Sequence, residues 1–133
     1  MKTVEEFIEN LVDISFIEEY ECYGHYPFQL VAIDKDSKMS MNALALGGDV
    51  LSCYNRTKEL ITKDSVVYLS LDFPASEWID NDFVAIHEIR NNKLNVFTIP
   101  YNYETGEVFD RVNEGKHIDI VIKQFRLNIP NVD

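Results

Sequence analysis

The groups in this chain most apt to do chemistry are three histidines, two cysteines and 23 carboxylates. The histidines, His25, His87 and His117, are far apart, and none has a second His or a Cys at metal-ligand spacing. His87 alternates within a strand pattern and His25 lies in a turn, so each suits a surface or a satisfied core position. Cys22 and Cys53 form no C-x-x-C pair and have apolar neighbours, the setting of inert, reduced core thiols in a cytoplasmic protein. No G-x-S-x-G elbow presents a nucleophilic serine.

The carboxylates show no tight ligand motif either. Asp34-x-Asp36 matches the first acidic positions of an EF-hand loop, but Lys38 and Ser40 follow, no Gly stands at the sixth position, and Leu46 falls near the site of the bidentate Glu. Asp80-Asn81-Asp82 with Glu77 and Asp72 offers oxygens to a divalent ion, and equally makes a solvated acidic loop. Gly47-Gly48 precedes a helix as a phosphate cradle would, yet Asp49 at the helix start repels phosphate from the positive dipole end. A metal-dependent enzyme built on His87 or on Asp72, Asp80 and Asp82 is therefore the third of three readings. The sequence calls for no cofactor and no catalytic residue.

The distribution of the acids carries more. Seven acids and no base lie between Glu5 and Glu21: Glu5, Glu6, Glu9, Asp13, Glu18, Glu19 and Glu21. Six acids and no base lie between Asp64 and Glu88, among them Asp72, Glu77, Asp80 and Asp82. Aromatics accompany both stretches: Tyr20, Tyr23 and Tyr26 near the first, Phe73, Trp78 and Phe83 within the second. Carboxylates with aromatic anchors suit a face that docks a basic protein. The first reading is thus a non-enzymatic acidic binding protein, an inhibitor or interaction module. Nucleic-acid-mimic anti-defence proteins, immunity proteins and secretion chaperones are jobs of this kind. A plainer reading of the same charge is solubility. The second reading is a small-ligand binder for a nucleotide-like signal. It would use Arg56, Arg90, Arg111 and Arg126 on phosphates and Phe83, Tyr101 or Tyr103 on a base.

Composition bounds these readings. The chain has 133 residues and a net charge of −11, which argues against direct binding to nucleic acid or to an anionic membrane. The excess is shared by both halves, so it belongs to a folded domain and is not a tail. Apolar content of 46% supports one globular domain over residues 1–133. No apolar run reaches the ~20 residues of a bilayer span, and the N-terminus has no signal-peptide core.

The elements that must position these groups follow from periodicity. Val4, Phe7, Ile8, Leu11 and Val12 make one helix face, started by the Thr3/Glu6 capping box. Residues 16–23, 28–33 and, with less β character, 39–46 read as extended. A second helix runs from Asp49 to about Thr62 on a stripe of Val50, Leu51, Tyr54, Leu60 and Ile61. Residues 65–73 alternate as a strand, and 74–81 form a loop. Residues 82–90 and 93–101 form a hairpin about Asn91-Asn92. Residues 107–112 suit a short helix or strand. A last helix spans 116–126 on Ile118, Val121, Ile122 and Phe125, and Pro130 closes it.

The fold class is α+β: a single two-layer domain with an antiparallel sheet of about five to six strands and helices at the N-terminus, middle and C-terminus, in the order α-β-β-(β)-α-β-β-β-α. This order resembles that of class I type III secretion chaperones. With 39–46 taken as a loop, it is similar to the profilin-like or roadblock layout. Whether the edge strand 93–101 pairs two copies into a homodimer is left open by the sequence.

Overall fold

The computed structural model describes residues 50–62, 65–77, 79–102, 104–105 and 107–133, and the backbone alone of 29–33 and 39–43. The expected N-terminal helix and the extended segment 16–23 lie outside the described residues, as does Asp49.

The described part is α+β. Its centre is an antiparallel sheet of three strands, β3 (Val66–Phe73), β4 (Asp82–Arg90) and β5 (Lys93–Tyr101), with two helices, α1 (Val50–Leu60) and α2 (Lys116–Asn128), packed against it. Two short backbone stretches, β1 (Gln29–Ile33) and β2 (Met39–Ala43), extend the sheet beyond β3 in the order β2-β1-β3-β4-β5.

The β4–β5 hairpin forms where the sequence places it. Asn91 and Asn92 take φ of 53° and 60°, the left-handed pair that a two-residue turn between right-twisted strands requires. Asn92 also donates its side-chain amide to the Asn131 carbonyl, and Leu94 N–H donates to the Asp133 carbonyl at 2.9 Å. The chain end is thereby tied to the start of β5. Further along the same edge, Thr98 exchanges both backbone bonds with Val112 at 2.8 Å, and Phe109 N–H donates to the Pro100 carbonyl. Residues 107–112 are neither helix nor full strand: two isolated bridges, at Val108 and Val112, hold them to β5.

Side chains alternate across a sheet. One face carries Val67, Leu69, Leu71, Ala85 and Ile89, and the two helices cover it with Cys53, Tyr54, Val121 and Phe125. The other face is buried as well: Tyr68, Ser70, Val84 and Ile86 are fully enclosed. Helix α1 packs Val50, Tyr54, Leu60 and Ile61 of its expected stripe into the core and departs from it at Leu51. Leu51 is 57% exposed, while Cys53, Tyr54 and Thr57 are buried. Thr57 tolerates burial because its hydroxyl donates to the Cys53 carbonyl at 2.8 Å. Helix α2 keeps its stripe, with Ile118, Val121 and Phe125 buried, and runs two residues past the expected end.

Candidate functional site

Phe73 ends β3 and Phe83 opens β4, and the register sets them opposite each other. Their rings stack at 5.3 Å between centroids, 9° apart. The connection between them is stiffened twice. Ser76 and Ile79 exchange backbone bonds, and Asp82 Oδ1 accepts the Ala75 N–H at 2.9 Å. The first half of α2 lies across from this connection. Its His117 meets Phe83 edge-on, with centroids 5.5 Å apart. Between the two elements is an open pocket of about 180 Å³, lined by Phe73, Pro74, Ala75, Ser76, Phe83, His117, Ile120 and Val121. Its surface is almost wholly apolar. Ile120, 40% exposed, forms an apolar lip.

His117 is the pocket's one ionisable lining group, and its state follows from its neighbours. Thr98 Oγ1 donates its single proton to the Val112 carbonyl. The same hydroxyl oxygen lies 2.9 Å from His117 Nε2 and is hydrogen-bonded to it. Burial lowers the His117 pKa, and the charge of Asp119 opposes that shift. Gly115 precedes α2 with φ of +126°, and a Cβ there would stand 3.3 Å from His117 Nδ1 and Cε1. Glycine thus answers both the backbone conformation and the closeness of the ring.

His87 lies deeper, between the sheet and α2, fully buried. Its Nδ1–H donates to the Leu69 carbonyl at 3.2 Å, and burial pushes its pKa down to about 4. Among the described residues, no group of three or more His, Cys, Asp or Glu is placed to hold a metal ion. No helix among them is long and apolar enough to cross a membrane.

The expected site residues separate. Glu5, Glu6, Glu9, Glu18, Glu19 and Glu21, and the side chain of Trp78, lie outside the described residues. Glu77 and Asp80 are exposed on the 74–81 connection, beside the pocket. Asp82 is half-buried and serves the connection as the acceptor for Ala75. Asp72 turns to the opposite face, where it accepts the Tyr101 hydroxyl at 2.7 Å. Phe83, expected as a base-stacking surface, is only 4% exposed and spends its ring on Phe73 and His117. The four arginines each engage their own surroundings. Arg56 pairs with Glu59 at 3.2 Å, and Arg90 with Glu88 at 3.7 Å and the Tyr68 hydroxyl. Arg111 sits over the Phe97 ring at 5.2 Å, and Arg126 donates to the Val132 carbonyl. None of them lines the pocket. The residues that sequence reasoning missed are Ile120, Pro74, Ala75 and the Thr98–His117 pair. The one early signal was the placement of Phe73 and Phe83 at the two ends of a loop between strands.

No protein-family model, characterised protein or solved structure matches this chain. The likenesses to secretion chaperones and to profilin-like or roadblock proteins stay likenesses of element order.

Proposed function

We propose that this chain is a non-enzymatic binding protein, one α+β domain with the full element order expected from sequence, that docks a basic protein partner. The observation that carries the reading is the juxtaposition on one connection of exposed carboxylates, Glu77 and Asp80, with the wall of an apolar pocket, Pro74 to Ser76. Protein-binding hot spots combine those two features: a desolvated apolar centre and a charged rim that steers the approach. The net charge of −11 adds a long-range pull on a cationic partner.

A displayed library of random peptides, selected against the whole chain at low salt, tests it. Enriched sequences should be rich in Lys and Arg, should weaken steeply toward roughly 1 M salt, and should lose at least about tenfold in affinity to E77K/D80K. Enrichment of neutral or acidic peptides, or binding indifferent to the double reversal, would overturn the reading.

A further inference from the structure

We infer that the pocket between the 74–81 connection and α2 is a subsite for one apolar side chain, of leucine to phenylalanine size, presented by a segment whose neighbouring positions are Lys or Arg. The inference rests on the binding function proposed above and names what the partner inserts.

Size speaks first. The pocket holds about 180 Å³, well under the roughly 300–1,000 Å³ of sites that enclose a small-molecule ligand. It is a seat for one side chain. The lining then decides polarity. Of its eight residues only Ser76 and His117 have polar side chains, and His117 Nε2 is engaged with Thr98 Oγ1 at 2.9 Å. No carboxylate lines the cavity, so a Lys or Arg head placed inside would give up water with no counter-charge in the wall. The buried part of the occupant is therefore apolar.

The rim decides its neighbours. Glu77 follows the lining residue Ser76, Asp119 precedes Ile120 at the lip, and Asp80 lies further along the same connection; all three carboxylates are exposed. Exposed carboxylates next in sequence to the lining residues would meet cations flanking the anchor with their water largely kept. Lys116 and Lys123, four residues before and three after Ile120 on α2, are exposed and set opposing charges on the helix side of the mouth. Stiffness makes the seat ready. The Phe73–Phe83 stack, the Ser76–Ile79 bridge and the Asp82 bond to Ala75 fix three of its sides. Little ordering is then left for the moment of binding.

Other surfaces do not compete. The β5 edge, at which the sequence left pairing of two copies open, is engaged by Val108, Val112 and Asp133. His87 has no exposed surface.

The test uses the whole chain and two small probes. With methyl-labelled protein, millimolar toluene should move the NMR signals of Ile120 and Val121, and tetramethylammonium should leave them in place. A75W, which fills the mouth from an exposed position, should abolish the toluene effect; I120S should weaken it while the thermal midpoint is kept. In peptides selected as above, replacing the apolar anchor by Ala should cost roughly tenfold to a hundredfold in affinity. Silence with toluene, or a response to tetramethylammonium alone, overturns the inference, even where basic peptides bind and E77K/D80K weakens them. Selection of no basic peptide, with toluene still bound, overturns the proposed function and the side-chain subsite with it.

Discussion

The His87 imidazole lies against the ring of Phe125, with centroids 5.5 Å apart and planes 28° from parallel. Its Nδ1–H is held by the Leu69 carbonyl, and Nε2 finds no hydrogen-bond partner among the described residues. A charged imidazole would have a bare second N–H pressed into an apolar layer, so the ring stays neutral when folded.

That neutrality makes stability depend on pH. The folded pKa, about 4, lies below the ordinary 6.5. Between these values the unfolded chain binds the proton and the folded chain does not, so stability rises with pH. The contribution is complete above pH about 6.5 and is lost as pH falls toward 4, a swing of about 3 kcal/mol. Urea unfolding of the wild type and of His87→Leu over this range isolates it as the difference between their slopes, since His117, whose pKa burial also lowers, contributes to both. Parallel curves for the two proteins would refute the assignment.

Tyr54 presents the second orphan of this core. Its hydroxyl is buried without a partner among the described residues, and burial raises its pKa to about 12. Its ring meets Phe125 edge-on at 6.1 Å. Tyr54→Phe keeps the packing and removes the unsatisfied oxygen, so stability should hold or rise by up to about 1 kcal/mol. Tyr54→Ala should cost about 3–5 kcal/mol. Both are read from urea midpoints. A loss above about 1 kcal/mol in the phenylalanine variant would reveal a bond to the hydroxyl.

Thr98→Val removes one oxygen from two partners at once. His117 Nε2 loses its hydrogen-bond partner, and the side-chain contact to the Val112 carbonyl is lost with it. The expected cost is about 1–3 kcal/mol. A change in the His117 tautomer should accompany it, visible in long-range proton–nitrogen NMR spectra. An unchanged Nε2 signal would show that the hydroxyl does not fix the ring.

Gly115→Ala strains the entry to α2. The new Cβ would occupy a left-handed backbone position and press on His117 at 3.3 Å. A loss of about 1–3 kcal/mol is expected, with displaced signals at His117 and Val121. Unaltered stability would mean that the segment re-forms with negative φ.

Legibility from sequence followed the range of the interactions. The β4–β5 hairpin was plain because its alternation and its Asn-Asn turn are local. The stripe of α2 was plain because Ile118, Val121 and Phe125 share a face by spacing alone. In α1 the spacing held for Val50, Tyr54, Leu60 and Ile61 and failed at one position. Hydrophobicity pointed to Leu51, whereas Thr57 is buried because a bond to its own helix masks its polarity. The pocket was invisible because it joins a loop to a helix some forty positions away (Ser76 and His117). The acidic stretch from Asp64 to Glu88 looked like one face, yet Asp72 and Asp82 were drawn into internal bonds. A charge count does not distinguish a rim carboxylate from one with a structural task.

The pair of left-handed asparagines also dictates an order of assembly. Nine facing pairs, from Asp82–Tyr101 to Arg90–Lys93, close around a turn of only two residues. Such a hairpin forms within about 1–10 μs. The pairing of β1 with β3 must instead wait for a long intervening segment that contains α1 to loop back. The hairpin is thus the template on which the slower, long-range contacts condense. Damage at Asn91 or Asn92 should slow folding while leaving the unfolding rate almost untouched.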